Sequence, residues 1–327
     1  MSDCHDQFSV FHGRIELNDS RETKLQRGRD AIRDLIKDDF REKGRTPVPS
    51  FCSQGSFAMR TTVNPLDGEY DLDDGVYLEH IDKKSDEDWP TPETVHSWIC
   101  DAVEGHTEQP PIDKRTCVRV VYAGQYHIDL PIYADLNGKN MHAEKGERGW
   151  HPSDPVEITK WFQNAIKVHG EQLRRALRCL KAWADFNAKD GKLPSGLILT
   201  VLAVQNFRAN DRDDLCFANT AEAIRVSTTP VFRVFNPVDS AEELTARLDA
   251  DEKKRFQTAI ANLADEGKKA ISSDSRSKAS KTWQRQFGDR FPVAEDENEE
   301  ERQKKADADR LASVYVPKSS KPWMPFA

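Results

Sequence analysis

The chain has 327 residues, of which 37% are hydrophobic and 32% are charged, and its formal net charge is -8. This composition predicts a soluble globular protein of one or two domains and excludes a disordered chain. The acidic balance argues against a long nucleic acid as partner, because such binding needs clustered Lys and Arg. No apolar stretch approaches the ~20 residues of a membrane helix, and we expect a cytoplasmic protein with no membrane partner.

Hydrophobic periodicity predicts a chain of helices with a few strands. The first predicted helix spans residues 20–43, where apolar side chains recur at helical spacing and Asn18 offers a capping oxygen. A short segment then leads into Gly55. The remaining elements are predicted as strands at 70–78, 116–122 and 127–133 and as helices at 92–103, 195–207, 241–266 and 277–287.

The character of the sequence changes after Asp154-Pro155, where helical patterns replace strands. In this second half Leu173, Leu177, Leu180 and Ala184 fall on one helical face. We therefore predict an α+β protein in which residues 1–160 form a core of a mixed sheet flanked by helices, including the long N-terminal helix. Residues 161–327 would form a helical domain with a flexible C-terminal tail, and the two lobes would enclose a central cleft.

Two carboxylates stand at strand spacing in the segment Asp71-Leu72-Asp73. A strand would direct Asp71 and Asp73 to one face, since side chains alternate. Like charges at close range repel unless a proton or a metal ion lies between them, and Mg²⁺ is typically held by carboxylates together with substrate phosphates. An isolated D-x-D is also common in turns, and Asp74-Gly75 is itself a turn signal, with Asp74 interpreted as a surface or capping residue.

A third acid, Asp129, stands alone in an apolar segment that is typical of a neighbouring strand. It could be a cap or a satisfied core acid. If its strand lies beside the first, however, three carboxylates converge, as a two-metal phosphoryl or nucleotidyl transfer site requires. Upstream, Gln54-Gly55-Ser56 fits a strand that turns into a helix, where glycine lets the backbone approach a ligand and Ser56 adds a hydroxyl donor.

These pieces, in this order, resemble the bacterial cGAS/DncV-like nucleotidyltransferases of the DNA polymerase β-type superfamily. The resemblance runs through residues 11–17, 54–57, 70–75, 116–119, 127–131, 180–183 and 194–195. It implies that Asp71, Asp73 and Asp129 are catalytic and hold Mg²⁺ or Mn²⁺, with Asp129 accepting the proton of the attacking ribose hydroxyl. It also implies nucleotide binding by a further set of residues, namely Gln54, Gly55, Ser56, Arg119, Lys181 and Ser195.

The resemblance implies a cyclic oligonucleotide synthase that joins nucleoside triphosphates, with ATP and GTP and a cyclic GMP-AMP-like product expected, and releases pyrophosphate. Members of the family serve antiphage signalling, so the implied partners are an effector activated by the product and ancillary conjugation proteins acting at the C-terminus. Two alternatives stay open. One is transfer of a nucleotide to RNA or protein, and the other is a catalytically inactive protein that binds nucleotide.

Overall fold

The computed structural model describes residues 2–66, 70–81, 88–188, 191 and 193–295. Helices and strands are mixed in the first half of the chain, and the described part of the second half is helical. The helices are α1 (His5–Ile15), α2 (Asp19–Glu42), α3 (Gly55–Ala58), α4 (Pro92–Val103), α5 (Pro155–His169), α6 (Glu171–Asn187), α7 (Gly196–Asn206), α8 (Asp213–Ser227), α9 (Ala250–Ser272) and α10 (Arg276–Phe287). The strands are β1 (Ser50–Gln54), β2 (Tyr70–Tyr77), β3 (Ile112–Asp113), β4 (Val118–Tyr122), β5 (Tyr126–Leu130), β6 (Ile132–Leu136), β7 (Lys139–Glu144) and β8 (Gly149–Pro152).

The described strands form one mixed sheet centred on β2. Strand β1 pairs antiparallel with β2, whereas β5 and β6 both run parallel to it. The antiparallel neighbours β4 and β7 extend the sheet to β3 and β8. This mixed sheet with flanking helices and a helical second half confirms the predicted α+β architecture.

The strand predicted at 127–133 is two strands separated by Pro131. Proline has no N–H to donate to the sheet, so regular pairing stops at that residue. The register nevertheless continues, because Asp73 lies opposite Asp129 and Val76 lies opposite Ile132. Val76 N–H donates to the Pro131 carbonyl at 2.9 Å, which holds the interruption against β2.

The predicted first helix corresponds to α2, whose N-terminus is capped by Asn18 accepting from Arg21 N–H. Another helix, α1, precedes it and was not predicted. Its buried side chains, among them Phe8 and Phe11, belong to the core formed by the helices of the second half. The aromatic face of α1 packs with the helices of the second half, so α1 departs from the predicted division at residue 160, which otherwise stays a prediction.

The second half is helical as predicted, with two corrections. Helix α8 was missed, and the predicted helix at 241–266 begins only at Ala250. Before it, Leu244–Arg247 forms a 3-10 turn, and Asp249 starts α9 with a capping box in which Asp249 and Glu252 exchange hydrogen bonds. Within the described ranges, no helix combines the length and apolar character that crossing a bilayer requires.

Candidate active site

Two carboxylates lie on the cleft face of β2. Asp71 and Asp73 are partly exposed, whereas Leu72 between them is fully buried on the opposite face. Both acids line one cavity of about 570 Å³, a volume in the range of small-molecule sites. The strand alternation inferred from the D-x-D spacing is confirmed.

The third acid reaches the same cavity from the neighbouring strand. Asp129 of β5 lies directly opposite Asp73 of β2 in the parallel register, and both line the cavity. The three aspartates share a wall but are not tightly clustered. Among the described residues, the group of three ligand side chains with donor atoms all within 4.8 Å of one another is a different one, His142, Glu144 and His151.

The surroundings of Asp73 disfavour its charged form. Burial raises the pKa of Asp73 above its usual range, and the negative charges of Asp71 and Asp129 raise it further. A carboxylate held in this way must take a proton or share a cation. Three carboxylates that line one cavity are a hard-oxygen donor set, which fits Mg²⁺ or Mn²⁺ better than a soft metal.

Arg119 is engaged with Asp129. It lies opposite Asp129 in the β4–β5 pair, and its Nε and a terminal nitrogen donate to the two carboxylate oxygens at 2.6 and 2.7 Å. Arg119 is not among the residues that line the cavity. Contact between Arg119 and a triphosphate therefore stays a prediction that this arrangement does not favour, since the guanidinium already has a carboxylate partner.

The segment Gln54-Gly55-Ser56 ends β1 and opens α3, as predicted. Gly55 has a φ of 64°, and a β-carbon there would overlap Oδ2 of Asp73. A glycine is therefore favoured here for two reasons: the backbone is left-handed, and Asp73 lies too close for a β-carbon. The Ser56 hydroxyl lies 2.9 Å from that of Thr62, and Gln54 donates to the Tyr133 hydroxyl at 3.1 Å. All of these side chains line the cavity.

Lys181 brings positive charge from the helical half to the acids. Its ammonium group, from the middle of α6, donates to the carbonyl and the hydroxyl of Thr61 at 3.2 and 3.0 Å. Burial lowers the pKa of Lys181 to about 8, while the charges of Asp71 and Asp73 oppose that shift. The location agrees with the predicted role of a cation in the cleft.

Ser195 does not line the cavity. It is exposed at the N-cap position of α7, and its hydroxyl accepts a hydrogen bond from Arg247 at 2.6 Å. Thr200, further along α7, does line the cavity, but it is buried and its hydroxyl donates to the Gly196 carbonyl at 2.6 Å. Nucleotide binding by Ser195 stays a prediction.

Asp74 is a structural acid rather than the surface or capping residue that its turn signal indicated. Its side chain is fully buried, and Arg33 of α2 donates to both of its oxygens at 2.6 and 2.7 Å. The Ser53 hydroxyl donates a further bond of 2.9 Å. This pair fixes the long helix α2 to the strand that carries Asp71 and Asp73.

A mixed sheet with two carboxylates on one strand, a third on its parallel neighbour and a helical half across the cavity defines a polymerase β-like nucleotidyltransferase. Two family profiles match the chain, "Cyclic GMP-AMP synthase DncV-like, nucleotidyltransferase domain" over residues 49–133 and "Cyclic GMP-AMP synthase, C-terminal domain" over residues 170–299. Together they cover more than half of the sequence, and the chain belongs to the DncV-like nucleotidyltransferase family.

Individual relatives are distant. The chain is 26% identical to a cyclic GMP-AMP synthase of Escherichia albertii over 257 residues, which cover 74% of this chain and 56% of that protein. It is 25% identical to a c-di-GMP synthase of Roseivirga ehrenbergii, with 70% of this chain and 69% of that protein covered. The crystal structure of Vibrio cholerae DncV superposes with a TM-score of 0.74 at 20% identity, covering 89% of this chain and 97% of that one.

Proposed function

We propose that the protein is a divalent-metal-dependent synthase that joins two nucleoside triphosphates into a cyclic dinucleotide and releases pyrophosphate. The observation that carries this proposal is the register of β2 and β5, which sets Asp73 beside Asp129 in the wall of a cavity that also contains Lys181. The names of the relatives, cyclic GMP-AMP synthase and c-di-GMP synthase, support the class of product.

Asp71 and Asp73 would hold Mg²⁺ or Mn²⁺, with Asp129 completing the site. When bound, the metal would neutralise charge on the transferring phosphate and on the attacking and leaving oxygens. Lys181 adds a cation to the lining of the same cavity, where it can bind phosphate oxygens. Asp129 can accept the proton of a ribose hydroxyl, and Arg119 holds the carboxylate of Asp129 in one orientation through its paired hydrogen bonds.

The walls of the cavity explain how a nucleotide could be oriented. Gly55 lets the backbone come close to Asp73, and the hydroxyls of Ser56 and Thr62 present donors next to the acids. The buried Gln54 donates to Tyr133, whose hydroxyl also faces the cavity. These neutral donors can bind ribose or phosphate oxygens without adding to the negative charge of the site.

The finer assignments belong to this proposal as well. We infer ATP and GTP as substrates, a cyclic GMP-AMP-like product and a role in antiphage signalling through an effector that the product activates. Support comes from the family and from the relatives named as cyclic GMP-AMP synthases. Conjugation of the C-terminus stays a prediction, because residues 321–327 lie outside the described residues.

Turnover with all four nucleoside triphosphates tests the proposal. The full chain is incubated with ATP, GTP, CTP and UTP and with Mg²⁺ or Mn²⁺, and the products are identified by mass spectrometry while pyrophosphate is measured. We expect a cyclic dinucleotide from the wild type, none from Asp73→Asn, and wild-type yield from Asp101→Asn, an exposed acid on α4. Pyrophosphate release that is unchanged in Asp73→Asn would refute the proposed active site.

The same reactions separate the alternatives. Label recovered in RNA or in the protein itself, without a small cyclic product, would identify a nucleotide transferase of another kind. Nucleotide binding by calorimetry without pyrophosphate under any metal would identify an inactive binding protein.

A further inference from the structure

A second group of side chains that could hold a metal lies on the hairpin formed by β7 and β8, on other strands than the three aspartates. One ligand atom from each of His142, Glu144 and His151 lies within 4.8 Å of the other two. His142 and Glu144 are two residues apart on β7 and so share a face, while His151 of β8 lies directly opposite His142. Two paired strands thus present three ligands on one rigid surface.

The hydrogen bonds of the two rings leave a nitrogen of each with a free lone pair. Nε2 of His142 lies 2.8 Å from the Thr116 carbonyl, and Nδ1 of His151 lies 3.2 Å from the Gly149 carbonyl. A carbonyl only accepts, so in each ring that nitrogen carries the hydrogen. Metal-binding histidines almost always donate their second nitrogen in this way, which fixes the orientation of the ring.

The second ring nitrogen of His151 lies near the Glu144 carboxylate. With its Nδ1 hydrogen on Gly149, neutral His151 directs an Nε2 lone pair towards Oε2 of Glu144, 3.7 Å away. Two electron-rich atoms at this distance repel unless a proton or a cation lies between them. Tetrahedral zinc with two such ligands would set them about 3.4 Å apart, close to the separation seen.

The Glu144 carboxylate is nearly fully buried, and its other contacts are loose. Arg115 lies 3.2 Å from one oxygen and Arg148 lies 3.4 Å from the other, but the side chains of these arginines are 74% and 56% exposed. Both arginines can move into solvent when a cation takes their place. A buried carboxylate whose arginine partners are exposed side chains is therefore available to a metal.

We propose that His142, Glu144 and His151 form a zinc site that is separate from the aspartate site. Two imidazoles and one carboxylate are a donor set that suits Zn²⁺, with water as the fourth ligand. His142 and Thr116 also line the active-site cavity, so the ion would fix the β7–β8 hairpin to the start of β4 at the cavity wall. The proposal does not depend on the nucleotides or on the product.

Zinc binding by the full chain tests this site. Protein stripped with a chelator is titrated with Zn²⁺ against a chromophoric competitor, without nucleotide. We expect one tight zinc ion in the wild type and in the Asp71→Asn/Asp73→Asn variant, which lacks two acids of the active site. His151→Gln and Glu144→Gln should each bind at least about 100-fold more weakly, because a direct ligand is lost. His169→Gln, which changes an exposed histidine on α5, should bind as the wild type does.

Cobalt substitution identifies the ligands independently of any variant. We expect the Co²⁺ form of the wild type to show the bands of a tetrahedral site without thiolate charge transfer, although the chain has six free cysteines. A thiolate band would overturn the proposal, and so would loss of zinc from the Asp71→Asn/Asp73→Asn variant. Equal zinc affinity in His151→Gln, Glu144→Gln and His169→Gln would show that His151 and Glu144 are only an ion pair of the hairpin.

Discussion

Arg119 and Asp129 face each other across the β4–β5 pair and are joined by two hydrogen bonds of 2.6 and 2.7 Å. Sequence reasoning assigned Arg119 to a triphosphate, and that contact stays a prediction. The pairing supports a second role, in which the guanidinium orients the acid that we propose as the base. The two roles predict different kinetics.

Replacing Arg119 with Gln should lower kcat and leave KM for the nucleotides nearly unchanged. The reason is that the variant frees the Asp129 carboxylate without removing a substrate contact, and losses of this kind appear in kcat. We expect a loss of roughly 10- to 100-fold. Arg119→Lys keeps the charge but not the two-point geometry and should recover only part of the rate.

Steady-state rates of pyrophosphate release check this prediction, with Arg41→Gln, an exposed position on α2, as the control. A rise in KM at constant kcat would return Arg119 to the role of a triphosphate ligand.

Gly55→Ala should abolish turnover, because the new methyl group would overlap the Asp73 carboxylate and the backbone φ of 64° disfavours a side chain. Gly44→Ala is a matched control, since Gly44 has a φ of 67° but no atom within 4 Å of the position that a methyl group would take there. Each variant should lose about 1 kcal/mol of stability from the left-handed backbone. Only Gly55→Ala should also lower the rate of product formation, by 100-fold or more. Similar rates in the two variants would contradict the proposed overlap with Asp73.

Protonation of the buried His12 should lower the free energy of unfolding at acid pH. Burial lowers the pKa of His12 to about 4, and the charges of Arg178 and Arg175 lower it further. In the unfolded chain, His12 takes up a proton near pH 6.5, whereas in the folded protein it does so only near pH 4. The stability that neutral His12 contributes is therefore complete above pH 6.5 and is lost as the pH falls towards 4. The loss amounts to roughly 3 kcal/mol at the low end of this range.

Urea unfolding between pH 7.5 and 4 measures the effect, and His12→Leu should remove that part of the pH dependence. A leucine is tolerable here because, among the described residues, no group forms a hydrogen bond with the buried Nε2. The same slope of stability against pH in both proteins would show that other groups cause the acid sensitivity.

Phe8→Ala should destabilise the helical domain although residue 8 lies at the N-terminus. The Phe8 ring packs with the rings of Phe217, Trp283 and Phe291 at centroid distances of 5.7, 5.1 and 5.2 Å. Truncating such a side chain costs about 4 kcal/mol from lost burial and the cavity that remains. Val10→Ala on the same helix changes a side chain that is 50% exposed and should stay within about 0.5 kcal/mol of the wild type. Chemical denaturation compares the two, and equal losses would contradict the packing of α1 into this core.

Local patterns determined many of the elements from the sequence alone. The helix predicted at 92–103 has those bounds in the structure, and α2 begins behind Asn18, because caps and apolar spacing are local signals. The D-x-D spacing determined that Asp71 and Asp73 share a face, since alternation along a strand needs no tertiary information.

The capping box of Asp249 and Glu252 is also a local signal, and it would have corrected the predicted start of α9. Helix α8 was harder to detect, because small side chains such as Ala218 and Ala221 make up part of its buried face.

Only the tertiary structure decided which partner each charged side chain takes. A single sequence does not state that β4 pairs with β5 in the register that sets Arg119 opposite Asp129, or that α2 brings Arg33 to the buried Asp74. Likewise, the apolar face of α1 could have covered either domain, and the aromatic cluster around Phe8 selects the helical one. The sequence determined which acids are candidates for the chemistry, because that depends on residue type and local spacing. Long-range packing decided how these residues are paired, because that depends on contacts between segments far apart in the chain.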